Sequence, residues 1–217
     1  MKVGIICAMQ CEYDLVNSSD FGSGNEICCV LSGMGKVNAA VAAHSLILDF
    51  QPDCIINAGV AGSLRSDIRE GEVVVGSQVA YHDVWCGDPN PFGRMDGCPQ
   101  RFNSHPALLE AALHCRAGLH TGLIISGDQF YISEEEDCRQ RGLYPDALAV
   151  DMESGAIAQV CYKYNVPFLA FRIISDSHDD GHQMENYLGF IRNMASTSYE
   201  VMQSLLKSLP TTLNNSK

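Results

Sequence analysis

The chain has 217 residues, a formal net charge of −12 and 46% hydrophobic residues, a balance that suits a folded core and repels the phosphate backbone of nucleic acid. No Lys/Arg stripe falls on a predicted face and no apolar run is long enough to cross a bilayer, so a small-molecule partner is expected, with no nucleic acid and no membrane. Ten cysteines are present, but Cys7, Cys28, Cys29 and Cys54 sit in apolar runs, no C-x-x-C pair suggests zinc or redox chemistry, and Met1 leads straight into a strand-like run without a basic leader. They are expected to be reduced thiols of a cytoplasmic protein, with Cys86 and Cys98 exposed in a loop.

Along the chain, "KVGIICAM" (2–9) reads as a strand and is followed by Glu12. "EICCVLSG" (26–33) is a second strand, and apolar spacing predicts a helix over 37–50. "CIINAGV" (54–60) and "EVVVGSQVAYHD" (72–83) are strands, "DPNPFGRMDGCPQRF" (88–102) is a surface loop of turn residues, and 105–115 is a helix. "HTGLIISGD" (120–128) and "ALAVDM" (147–152) are strands, a helix runs over 154–165, and "PFLAFRIISD" (167–176) is the last strand. A long amphipathic helix over 186–209 closes the domain, expected as a single unit over 1–209, and 210–217 is expected to fray. Strands alternating with helices imply an α/β domain with a largely parallel or mixed sheet, whose ligands gather at the carboxyl ends of strands.

Those ends carry acids. Glu12, Asp128, Glu153 and Asp176, with the "NAGVAG" turn, each follow a predicted strand. Each has a plain structural reading: Glu12 as a first-turn helix acid, Glu153 or Ser154 as a helix cap, Asp176 as a strand-closing turn. Together they describe a site that holds a proton donor, a proton acceptor and a polar substrate. In an extended chain Asp151 and Glu153 face one side and Met152 the other. "SGMGKVNAA" lacks the third glycine of a dinucleotide fingerprint and no Walker lysine follows, so no nicotinamide cofactor is expected. "HDDGH" (178–182) is a weak metal candidate without a further ligand set, and no metal is assigned.

Ordered motifs over nearly the whole length, "GIICAMQCE", "SGMGKVNAA", "INAGVAGSL", "GEVVVGSQVAYHDV", "GCPQRF", "LIISGDQF", "AVDMESGAIAQVC" and "NVPFLAFRIISD", resemble the 5′-methylthioadenosine/S-adenosylhomocysteine nucleosidases of the nucleoside phosphorylase superfamily. The resemblance implies a three-layer sandwich, with a central mixed sheet flanked by helices, and hydrolysis of an N-glycosidic bond without a cofactor. It places the water-activating glutamate on Glu12, the purine-protonating aspartate on Asp176 beside Ser175, and the ribose-gripping pair on Met152 and Glu153. Phe130 would stack on adenine, the Tyr131 backbone would read the base edge, and Met9 with Gly59, Val60, Ala61 and Gly62 would line the ribose. Asp151 stands where relatives usually carry glutamate and is expected to support Glu153; Val60 stands where many carry Ser or Thr. The segment after Glu12 is shorter than usual. Phe102 and Tyr187 or Phe190 are candidates for an apolar pocket around the 5′ substituent, which in these relatives is partly built by a partner subunit, so a homodimer is implied.

Three rivals remain. A phosphorylase of the same superfamily would need cations for phosphate, for which Arg65, Arg69 and Arg94 are the visible candidates. The others are a hydrolase of a related nucleoside such as a futalosine derivative, and a non-catalytic nucleoside-binding protein.

Overall fold

The computed structural model describes residues 1–17, 24–116, 118–129, 139, 141–177, 189 and 197–213. Among the described residues there are eight strands: β1 (Lys2–Cys7), β2 (Glu26–Leu31), β3 (Cys54–Ser63), β4 (Val73–Tyr81), β5 (Arg101–Asn103), β6 (His120–Ser126), β7 (Ala147–Asp151) and β8 (Phe168–Ser177). The described helices are α1 (Gln10–Asn17), α2 (Lys36–Phe50), α3 (Pro106–His114), α4 (Ser154–Tyr164) and α5 (Thr197–Ser208).

Alternation along the strands sorts apolar side chains to two faces. Val3, Ile5, Cys54, Ile56, Val73, Val75, Leu169 and Phe171 pack on one face with Leu108, Ala112, Leu205 and Leu206 of α3 and α5. Ile6, Ile55, Val74, Phe168 and Ala170 pack on the other with Ala43, Leu46, Ile157 and Cys161 of α2 and α4. Each fully buried aliphatic side chain contributes about 1.5–3 kcal/mol, and because both faces need cover, the result is helices, mixed sheet, helices. The expected layering is therefore present. Pairing adds a closure: β3 pairs with β8, β8 with β4, β4 with β6, β6 with β7, and β7 back with β3 through Gly62 and Ser63. β1 and β2 extend the ring beside β3, and β5 extends it beside β4.

α4 stops where Asn165 takes a left-handed conformation at φ 56°, with Pro167 following. Several boundaries differ from the sequence reading. Residues 101 and 102, assigned there to the loop, form β5 together with Asn103 because the three pair antiparallel with 78–80 of β4. Cys98 of that loop is buried in the α2/α4-side core, whereas Cys86 is exposed as expected. Of the predicted 186–209 helix, 197–208 is helical; 186–196, apart from 189, lies outside the described residues. Residues 210–213, expected as the start of a frayed tail, are tied down: the Met1 amino group donates to the Thr211 carbonyl at 3.1 Å, and Leu213 packs against the core.

Candidate active site

Parallel pairing aligns the carboxyl ends of β3 and β8, with Gly62 opposite Asp176, while β7 meets β3 from the other side with Val150 opposite Gly62. The three ends surround a cavity. Met9, Glu12, Val60, Ala61, Gly62, Asp151, Met152, Glu153, Ser175 and Asp176, all anticipated from sequence, line it. Gly59 lies directly behind Glu12: a Cβ there would stand 2.8 Å from Glu12 Oε1 and 3.2 Å from Arg172 Nη1, so only glycine lets β3 pass so close. Phe102 is not in this cavity; it lines a separate groove and stacks edge-on with Tyr81 and Tyr162. Phe130, Tyr131, Tyr187 and Phe190 lie outside the described residues, as does the 178–182 segment.

Glu12 belongs to the first turn of α1, and its carboxylate is folded back onto backbone donors. Oε2 accepts from the N–H groups of Ala8 and Met9 at 3.0 Å each, and Oε1 accepts from Val60 N–H at 2.9 Å. Burial nevertheless raises its pKa above the ordinary carboxylate value, against the lowering effect of those donors and of Arg172.

The extended chain ends at Asp151, and Glu153, with φ −128° and ψ −36°, already turns into α4. Met152 therefore lines the cavity with its neighbours instead of pointing away. Glu153 does not cap the helix with its side chain. That task falls to Asp151, whose Oδ1 accepts from Glu153 N–H (3.2 Å), Ser154 N–H (3.1 Å) and Ser154 Oγ (2.9 Å), while Oδ2 accepts from Arg172 Nε at 2.8 Å. Both oxygens face protein donors, so Asp151 is not free to grip a substrate. Glu153 Oε1 accepts from Gly35 N–H at 2.9 Å, in the "SGMGK" turn. Gly35 has φ +91°, and Asp128 holds the same turn through Lys36 N–H at 2.7 Å. Asp128, an acid at a strand end, thus secures the cavity rim from outside, in a network with Lys36 and Asp83.

Burial first, then the Asp151 charge, raises the Glu153 pKa from 4.5 to about 7, partly offset by Arg172 and the Gly35 N–H. The unfolded chain releases this proton near pH 4.5 and the fold holds it to about 7. The folded state is thus favoured by this group at low pH and loses that advantage as pH rises through the folded value. Glu153→Gln is expected to raise the melting temperature at pH 8, by a stability of up to about 3 kcal/mol, and to leave it unchanged at pH 4. Thermal melts at the two pH values check this.

Asp176 is buried, and Ser175 Oγ donates to its Oδ1 at 2.6 Å. Three residues the sequence reading did not single out complete the site. Met34, from the "SGMGK" turn, and Gln129, next to Asp128, line the cavity. Arg172 lies beneath it, 1% exposed, held by Asp151, by the Asn57 side chain and by the Asn57 carbonyl at 3.1 Å. Burial works against its charge, and Asp151, Glu153 and Glu12 more than offset that. A charged residue inside the apolar run "FLAFRII" is the signal that could have found it.

The sequence matches the profile of the phosphorylase superfamily over residues 2–208. The chain belongs to the phosphorylase superfamily. It is similar to the 5′-methylthioadenosine/S-adenosylhomocysteine nucleosidase of Neisseria meningitidis, solved with methylthio-immucillin-A, at 34% identity over 96% of this chain and 99% of that one, TM-score 0.88. It is also similar to the S-adenosylhomocysteine nucleosidase of Streptococcus pyogenes in complex with 5-methylthiotubericidin (29% identity, 97% and 98% covered, TM-score 0.89). The futalosine hydrolase of Helicobacter pylori matches at 29% identity over 96% and 98% of the chains, TM-score 0.86.

Proposed function

We propose that this chain is a nucleosidase, a hydrolase that cleaves the N-glycosidic bond of 5′-methylthioadenosine and S-adenosylhomocysteine to release adenine and the 5′-thioribose. The observation that carries the reading is that Glu12 and Asp176 open onto one cavity that also holds Glu153. Adenine leaves poorly as an anion, so a proton from Asp176 to N7 lowers the barrier. The ribose becomes cation-like as the bond breaks, and the Glu153 carboxylate, set by Gly35, holds its hydroxyls and stabilises that charge. On the opposite face Glu12, kept basic by burial, orients water and takes its proton. Met9, Val60, Ala61, Gly62 and Met152 form the ribose walls, with Gly59 backing Glu12. Phe130 stacks on the base, the Tyr131 backbone reads its edge, and Tyr187 covers the 5′ group; Asp151 supports the site from behind.

A phosphorylase would bring a phosphate dianion up to Glu12, which serves as the base, and to the Glu153 carboxylate on the ribose hydroxyls, and both repel it. Arg65 pairs instead with Asp67, and Arg94 Nε donates to the Cys98 carbonyl. Purified protein incubated with methylthioadenosine in phosphate-free buffer is therefore expected to release adenine at a rate that added phosphate does not raise; a strict phosphate requirement would reassign it. The similarity to a futalosine hydrolase supports a second reading, in which the same bond is cut in a nucleoside with another 5′ group. Nucleosides differing only at the 5′ position, compared by kcat/KM, separate the two.

The protein acts as a cytoplasmic homodimer in methionine salvage, with residues 1–209 as its one nucleosidase domain and no cofactor. Nine described cysteines are free, which suits a reducing compartment. Val37, Val41 and Leu48 are exposed along one stripe of α2, and Tyr162 and Tyr164 of α4 are exposed as well. Such apolar exposure suits burial against a second copy. Light scattering is expected to give twice the chain mass, and a fully active monomer would remove the dimer from the account.

A further inference from the structure

We propose that Asp151 is a positioning residue whose negative charge, held between Arg172 and the start of α4, keeps Glu12 and Glu153 in working order. This rests on the nucleosidase reading and assigns Asp151 a part distinct from substrate binding. Its two oxygens divide the labour. Oδ1 gathers the first donors of α4 and so stabilises the start of that helix, and Oδ2 holds Arg172 Nε and supplies the charge. The Asn57 side chain and carbonyl hold the far end of the guanidinium. Arg172 thereby lies close behind Gly59 and Glu12 while its charge is met by a buried partner, both side chains being 1% exposed.

Glu153 is faced by Asp151 from β7, Arg172 from β8, Glu12 from α1 and the Gly35 N–H, with Asp176 in the same cavity. Beyond Gly35, Lys36 is paired with Asp83 and Asp128. Remove the Asp151 charge and Arg172 acts uncompensated on the two glutamates, stabilising their ionised forms and weakening Glu12 as a base. Aspartate suits both tasks: one more methylene keeps the charge near Arg172 but takes the cap oxygen out of place.

Asp151→Asn and Asp151→Glu separate charge from cap, since an amide keeps an acceptor for the helix and a glutamate keeps the charge. The measurements, on the full chain, are the Glu153 carboxyl titration by carbon-13 NMR, kcat and KM for methylthioadenosine, and the melting temperature. In the Asn variant the Glu153 midpoint is expected to fall by about 1 pH unit and kcat by about tenfold or more, with KM nearly unchanged. The Glu variant is expected to keep midpoint and kcat within about threefold of the parent while melting earlier. Ser154→Ala, which removes one cap bond, is expected to leave midpoint and kcat at parent values. An Asn variant with unchanged midpoint and kcat, or a Glu variant as impaired as Asn, would overturn the proposal and leave Asp151 a cap alone. Should the Asn variant fail to fold, the Glu variant decides by the same criterion. If the parent protein cleaves no adenine nucleoside, the nucleosidase reading falls, and the NMR midpoints still judge Asp151.

Discussion

Asp176→Asn is expected to lower turnover of methylthioadenosine by about 10²–10⁴-fold, the range for losing a general acid. The amide offers no proton that purine N7 can take, so adenine must leave with its negative charge unrelieved. The fold is expected to survive, because Ser175 Oγ donates to Oδ1 at 2.6 Å and an amide oxygen accepts that bond equally well. KM changes little if Asp176 acts mainly as the bond breaks, so the loss falls on kcat. Steady-state kinetics beside a melting curve check this, and near-parent kcat in a folded Asn variant would remove Asp176 as the acid.

Glu12→Gln is expected to reduce kcat by a comparable ~10²–10⁴-fold, but at a cost in stability that the Asp176 variant does not share. Both Glu12 oxygens accept backbone N–H groups, Oε2 from Ala8 and Met9 and Oε1 from Val60. A glutamine must turn its NH₂ toward one of these donor sets, leaving buried N–H groups unpaired at about 1–3 kcal/mol. The site is walled by β3 at Gly59, so the amide has no room to turn elsewhere. Lost catalysis together with a lower melting temperature is the expected pair of results, read by the adenine-release rate and a thermal melt. A variant that loses stability and keeps its rate would make Glu12 a structural acid.

These expectations trace back unevenly to the sequence. Glu12, Glu153 and Asp176 were legible because a buried acid next to an apolar strand is costly unless it has a task, and parallel strands bring their ends together. The part played by Asp151 was not: alternation along an extended chain put it on the Glu153 side and Met152 opposite, whereas the strand ends at Asp151 and its oxygens turn to α4 and to Arg172. Arg172 went unremarked although it is a charge in an apolar run, because its partners are 21 and 115 residues away and no local pattern records such pairing. Phe102 lies away from this chain's own cavity for a related reason. An aromatic after a turn-rich loop packs wherever its short strand is paired, and β5 pairs with β4, which turns Phe102 toward Tyr81 and Tyr162. Cys98 is buried by the same folding-back of the loop. The layers were readable from periodicity, while the closure of the ring depends on the pairing of β7 with Gly62 and Ser63, a contact of two residues.

The most direct measurement is a crystal structure of the protein with an adenine nucleoside analogue whose sugar is replaced by a cationic pyrrolidine. The account predicts purine N7 within about 2.6–3.2 Å of the Asp176 carboxyl and an ordered water touching Glu12 on the other face of the ring. A purine turned away from Asp176, or an analogue seated outside the cavity shared by Glu12, Glu153 and Asp176, would contradict it.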